Sequence, residues 1–127
     1  MLECADRRQR GGSIVNISSQ MGHVGAERRV VYCMTKHALE GFTKAAAVEL
    51  APNNIRVNTV APTFIDTPMT RPFFEDDKFK KWVYDRIPMG RLLRSDEVAA
   101  AVLYLTSPAA AMITGTSLQI DGGWTAQ

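Results

Sequence analysis

Two short β-branched runs, SIVNI at residues 13–17 and IRVNTV at residues 55–60, flank a long stretch from Val31 to Ala51 that holds no proline. This arrangement constrains the fold more than any other feature of the chain. Met34, Ala38, Phe42, Ala45 and Leu50 fall close to helical spacing in the long stretch, and Pro52 closes it. A strand, a helix of this length and a second strand imply a crossover connection and a parallel sheet covered on both faces. The run 13–17 lacks clean alternation between apolar and polar residues, which predicts burial on both of its faces. A third strand is expected at Thr116–Ile120, before the turn residues Asp121, Gly122 and Gly123.

Between the second and third strands the pattern is looser. Three prolines between Pro62 and Pro72 make that segment a loop. Residues 73–87 read as a helix or helix pair, with Phe79, Trp82, Val83 and Ile87 on one apolar face. After a turn at PMGR, Ser95 is the expected N-cap of a further helix, with Asp96 and Glu97 in its first turn, where the helix dipole favours negative charge. VAAAVLYL at 98–105 is apolar nearly all round, which predicts burial on every face. Upstream, residues 1–10 read as the last turns of a helix stopped by Gly11 and Gly12.

Composition narrows the function classes. With 46% hydrophobic and 22% charged residues, the chain has material for a real core and is not expected to be disordered. A net charge of +2, spread along the chain apart from Arg7, Arg8 and Arg10, lacks the dense basic stripe of a nucleic-acid surface. Cys4 and Cys33 form no CxxC, and neither they nor His23 and His37 have neighbours at metal-ligand spacing, so no metal site is expected. No stretch approaches the roughly 18 uninterrupted apolar residues of a membrane span, and the first residues lack the apolar core of a signal peptide. A cytoplasmic protein with reduced thiols is the expectation.

Chemistry centres on YCMTK. Tyr32 and Lys36 lie four residues apart on the long helix, so their side chains share a face one turn apart. An isolated phenol, with a pKa near ~10, is a poor base at neutral pH, but an adjacent ammonium favours the phenolate and equips it for general acid or base work. Ser19 directly follows the first strand, at the end of a parallel sheet where ligands bind, and can donate a hydrogen bond to a substrate oxygen.

NISSQMG at 16–22 followed by YxxxK resembles the short-chain dehydrogenase/reductase family. The similarity continues through IRVNTVAP, the loop ending IDTPM, the Gly90–Arg91 pair before a Ser-Asp-Glu-Val helix start, and TGTSLQIDGG. The resemblance implies an α/β fold, the C-terminal part of a Rossmann-like doubly wound parallel sheet of about three strands with flanking helices, whose N-terminal strands are missing. Residues 1–127 would then be one incomplete domain. Within it, 11–62 form the catalytic strand-helix-strand, 63–94 the nicotinamide loop and substrate lid, and 95–127 the C-terminal helix and strand.

The resemblance also implies roles. Ser19 orients the substrate oxygen, with Ser18 its structural neighbour; Tyr32 passes the proton; and Lys36 supports Tyr32 and holds the nicotinamide ribose. Pro62, the backbone of Ile65 and the Thr67 hydroxyl lie along the cofactor. Phe73, Phe74, Phe79 and Trp82 are either plain core or a lid over the substrate. Many family members have Pro-Gly where this chain has Pro62-Thr63, and a β-branched Thr63 requires an ordinary backbone conformation there.

The expected cofactor is NAD or NADP, and the expected substrate a small alcohol or ketone. A homodimer or homotetramer is expected of the full-length form. The chain contains no glycine-rich turn between a strand and a helix for the cofactor's pyrophosphate, and Gly11-Gly12 precedes a strand instead of following one. Two functions therefore stand at this point: an oxidoreductase interconverting a secondary alcohol and a ketone, and a truncated, catalytically silent fragment that acts only by subunit association, through the long helix or the helix at 95–107. The first strand would present an unpaired edge in either case.

Overall fold

A computed structural model describes residues 11–127; Cys4, the Arg7–Arg10 cluster and the helix end expected at 1–10 lie outside the described residues. Strand β1 (Gly12–Ile17) leads through a single 3-10 turn at Gln20–Gly22 to helix α1 (Val30–Leu50). Pro52 then confines the chain to a 3-10 turn, and Asn54 takes a left-handed φ of 57°, a conformation that asparagine tolerates, before strand β2 (Ile55–Pro62) begins. After the loop come a 3-10 turn at Arg71–Glu75, helix α2 (Asp77–Tyr84), helix α3 (Ser95–Thr106) and strand β3 (Ser117–Ile120). The fold is α/β, and the three strands form one parallel sheet in the order β1-β2-β3.

Register shows how the layers are built. Asn16 pairs with Thr59, and Val15 with Asn58. Neighbouring residues on a strand point to opposite faces. Asn16 donates to Thr43 of α1 at 2.9 Å and Thr59 donates to the Glu40 carboxylate of α1 at 3.0 Å, whereas Val15 and Val60 pack with Ala101 and Leu105 of α3. Helices α1 and α3 therefore cover opposite faces of β2. Polar residues fill the interface on the α1 side, and Val98, Val102, Ile113, Leu118 and Ile120 extend the apolar cluster on the α3 side.

The structure sets the direction of α1 and changes two expectations. The helical stripe Met34, Ala38, Phe42 and Ala45 points outward, and α1 buries Glu40, Thr43 and Ala47 instead. Asn16 and Thr59 supply the hydrogen bonds that allow this polar packing, so Glu40 is buried with its oxygens satisfied. Ile14 and Ile17 of β1 remain 43% and 48% exposed, not buried on both faces; among the described residues β1 pairs only with β2 and ends the sheet. Finally, α3 buries Ala101 and Leu105 but leaves Leu103 and Tyr104 exposed, so only one of its faces meets the sheet.

The start of α3 also differs by one residue. Ser95 lies inside the helix, and Arg94 is the N-cap; the Glu97 carboxylate accepts the Arg94 N–H at 2.8 Å and both guanidinium nitrogens of Arg91 at 2.9 and 2.6 Å. Glu97 thus reaches back to satisfy the N-cap amide, the glutamate half of a capping box. The aromatic residues divide. Phe64, Phe74, Phe79, Trp82 and Trp124 form a chain of ring contacts 5.5–6.0 Å apart around Val83 and Ile87, while Phe73 stays 57% exposed. The apolar face expected from Phe79, Trp82, Val83 and Ile87 is the one that packs here. Among the described residues, no helix is long and apolar enough to cross a membrane.

Leu105 is nearly inaccessible under β2, so Leu105→Ala should cost about 2–5 kcal/mol in urea denaturation, whereas Leu103→Ala on the open side of α3 should cost under about 0.5 kcal/mol. Equal losses would place the packed face of α3 wrongly. Hydrogen bonds from Arg91 and then from the Arg94 amide pull the Glu97 pKa from its ordinary 4.5 to about 2. Because the folded value is the lower one, this clamp stabilises the protein above about pH 4.5 and is lost as pH falls towards about 2. An NMR titration of the Glu97 carboxyl should give a midpoint near about 2; a midpoint near 4.5 would mean the clamp does not hold.

Candidate active site

Strands β1 and β2 end side by side, and the chain leaves both at the same edge: Ile17 pairs with Val60, and the Ser18 N–H donates to the Val60 carbonyl at 2.8 Å. Residues beyond this edge cannot continue the ladder and must turn. Ser19 does so as the N-cap of the 3-10 turn, its Oγ accepting from the Met21 N–H at 3.1 Å and donating to Gln20 Oε1 at 2.8 Å. Gly22 follows where a Cβ would stand 2.9 Å from the Ser18 Oγ and 3.2 Å from the Lys36 carbonyl. Only glycine lets the turn lie this close to α1.

The turn and the helix meet around a cleft of 830 Å³ lined by Ser18, Ser19, Tyr32, Lys36, Pro62, Ile65 and Thr67, among others. All the candidate site residues named from the sequence therefore face one space. Tyr32 and Lys36 sit one turn apart on α1, with the Lys36 Nζ 5.6 Å from the centre of the Tyr32 ring. Lys36 also donates to the Ile17 carbonyl at 2.9 Å, which ties the helix to the last residue of β1. Tyr32 is 43% exposed, so its ring is open to the cleft and to solvent.

The opposite wall comes from the loop after β2. Pro62 still belongs to β2, opposite Ile120, and Thr63 has an ordinary backbone conformation, as its β-branched side chain requires. Ile65 forms an isolated parallel bridge with Leu93, in which the Leu93 N–H donates to Phe64 and the Asp66 N–H to Leu93. On the other side, the Ile65 carbonyl accepts from the Thr70 hydroxyl. Thr70 also exchanges hydrogen bonds with the backbone and hydroxyl of Thr67, so these two threonines hold the loop in a tight turn.

Several contributors were not identified from the sequence. Gln20 accepts the hydrogen bond of the Ser19 hydroxyl, Thr70 organises the Thr67 loop, and Arg29 lines the cleft; Phe73, which the sequence left between core and lid, lines it as well. Only Thr67 and Thr70 carried a usable signal, as two threonines three residues apart around a proline. Elsewhere, His23 contacts Ser117 at 2.8 Å and lies 3.4 Å from Glu40, a packing role at the edge of the sheet. Asp121 accepts from Thr125 and Gly123; burial pushes its carboxyl up, but these hydrogen bonds outweigh it and hold the pKa below the ordinary value. No group of three or more His, Cys, Asp or Glu among the described residues could hold a metal ion.

A nicotinamide and its ribose fit what is present. The cleft opens beyond the C-terminal ends of parallel strands, where open α/β sheets bind such ligands, and is lined by an ammonium, a guanidinium, several hydroxyls and largely apolar walls. Among the described residues, none of the glycines forms the strand-to-helix turn that cradles a pyrophosphate.

The family model described as enoyl-(acyl carrier protein) reductase matches residues 1–125. The chain is 44% identical over 115 residues to L-xylulose reductase of Bos taurus, covering 91% of this chain and 47% of that protein. It is 48% identical over 116 residues to a 3-oxoacyl-(acyl-carrier-protein) reductase of Aquifex aeolicus, covering 91% and 46%. The structure of a gluconate 5-dehydrogenase from Burkholderia cenocepacia, solved with NADP and tartrate, superimposes with a TM-score of 0.89 at 30% identity, over 98% of this chain and 49% of that one. The chain spans about half the length of these curated relatives. A parallel α/β sheet, the NISS turn with YxxxK on the following helix, and matches of this extent agree, and the chain belongs to the short-chain dehydrogenase/reductase family, a family of oxidoreductases.

Proposed function

We propose that this segment carries the proton-transfer half of an NAD(P)-dependent oxidoreductase that interconverts a secondary alcohol and a ketone. The observation that carries the reading is the convergence of Ser19, Tyr32 and Lys36 on one cleft at the open end of the sheet. When bound, the nicotinamide would supply the redox step, accepting the carbinol hydrogen with its electron pair or returning it to the ketone carbon. What the chain itself contributes is binding, orientation and the proton.

Ser19 is held with its proton on Gln20, so turning that proton to the substrate oxygen breaks one hydrogen bond and forms another. The Tyr32 oxygen, as phenolate, takes the alcohol proton in oxidation and, as the resulting phenol, gives it back in reduction. Lys36 spends one of its three protons on the Ile17 carbonyl. Two remain for the ribose hydroxyls, and its charge offsets the negative charge that builds on the Tyr32 oxygen. Pro62, Ile65 and Thr67 form the wall against which the nicotinamide would lie. Xylulose, 3-oxoacyl and gluconate enzymes among the relatives are compatible with a polyhydroxy or oxo substrate. A neighbour solved with NADP supports that cofactor class without deciding between NAD and NADP.

One observation favours a second reading. Met34 and Phe42 on α1 and Leu103 on α3 are 60–69% exposed, which is more apolar surface than a lone helix face gains from leaving open. These faces suit association into a homodimer or homotetramer, and a silent fragment could act through them alone. Cofactor binding separates the two.

For the 127 residues by themselves, calorimetry with NADPH should show binding weaker than about 1 μM, because a glycine-rich pyrophosphate turn is not among them; tighter binding would mean that other residues of this chain hold the phosphates. Wherever the segment turns over substrate, Tyr32→Phe should lower kcat by about 10²–10⁴ while leaving cofactor affinity unchanged. Undiminished kcat would remove Tyr32 from the mechanism.

A further inference from the structure

We propose that Arg29 makes the substrate of this cleft an alcohol or ketone that also carries a carboxylate. The proposal rests on the oxidoreductase reading above and narrows its substrate. Arg29 lines the same cleft as Ser19 and Tyr32, three residues before Tyr32 and at the first turn of α1. Its backbone is occupied, donating to Ala26 at 3.3 Å and accepting from Cys33 at 2.7 Å, but its side chain makes no capping bond.

The other arginines of the described residues show what is unusual about it. Arg71 pairs with Asp66, Arg91 with Glu97 and Arg94 with Asp96. Arg56 donates to the carbonyls at Leu105 and Ile113, and Arg86 lies 4.4 Å over the Trp82 ring. Among the described residues, only Arg28 and Arg29 have no such partner, and of these two only Arg29 faces the cleft.

Charge in the cleft is one-sided. Lys36 and Arg29 are its cations, and no aspartate or glutamate lines it. Lys36 is already engaged with Ile17, within reach of the Tyr32 ring. The free guanidinium is therefore the group left to recognise a part of the substrate remote from the reacting carbon. A guanidinium presents paired donors that match a carboxylate in a bidentate fork, and Arg29, an exposed residue, has its donors open to such a group. The function of Arg29 is positioning: it anchors one end of the substrate so that its carbinol oxygen reaches Ser19 and Tyr32.

D-Gluconate and D-glucitol differ at one end by a carboxylate and serve as the probes. NMR titration of the labelled 127-residue protein should shift the Arg29 side-chain Nε–H with gluconate, and gluconate should bind about tenfold tighter than glucitol. Arg29→Gln should erase that preference with the amide spectrum of the sheet unchanged, and Arg29→Lys should restore part of it. Tyr32→Phe should leave the preference intact, so loss of the proton-transfer role and loss of anion recognition read out separately. Equal affinities, a preference that survives Arg29→Gln, or an Arg29 effect on NADPH with none on gluconate would each overturn the proposal.

Discussion

Parallel pairing along Ile55–Pro62 is the constraint from which the rest of the structure follows. A parallel neighbour cannot be reached by a tight hairpin, so each of the two partners of β2 requires a long connection. The first connection holds α1, and the second holds the cleft loop, α2 and α3. A strand paired on both edges must also hide both faces, and adjacent residues divide the work. Thr59 turns to α1, and Val60 turns to α3. The same pairing brings the ends of β1 and β2 together, and the turns that leave them build the cleft.

The two covered faces use different chemistry, and this has consequences for the site. On the α3 side the contact is apolar and gains from area removed from water. On the α1 side Thr43, Glu40 and small residues let the helix lie close to the sheet, with hydrogen bonds from Asn16, Thr59 and Ser117 satisfying the buried groups. Close approach sets the height of α1 over β1, and Lys36 reaches the Ile17 carbonyl as a result. One helix thus carries Tyr32 and Lys36 on the turn nearest the strand ends and an outward apolar stripe further along.

Much of this was legible before any coordinates. The element order, the parallel sheet and the grouping of Ser19, Tyr32 and Lys36 follow from β-branched runs, a proline-free helix and an i, i+4 pair. Those are local signals, and periodicity reports them directly. Direction was harder. The apolar stripe Met34, Ala38, Phe42 and Ala45 has the same spacing whether it faces a sheet or solvent, and only the polar residues of β2 decide that α1 turns its other side inward. The Arg94 cap likewise depends on a glutamate reaching back from within the helix, where sequence preference favours the serine. Arg29 and Gln20 join the cleft through the way a turn folds, which no spacing encodes.

What the sequence by itself determined was the type and order of the elements and the one-turn spacing of Tyr32 and Lys36, because backbone propensity and helical spacing act over a few residues. Only the tertiary structure decided which face of each helix is buried, which aromatic rings are core and which line the cleft, and which arginine lines the cleft. Those outcomes depend on pairing between residues far apart in the chain: Asn16 with Thr43, Thr59 with Glu40 and Ser13 with the Leu105 carbonyl. The free energy of such contacts exists only once the sheet has brought them together.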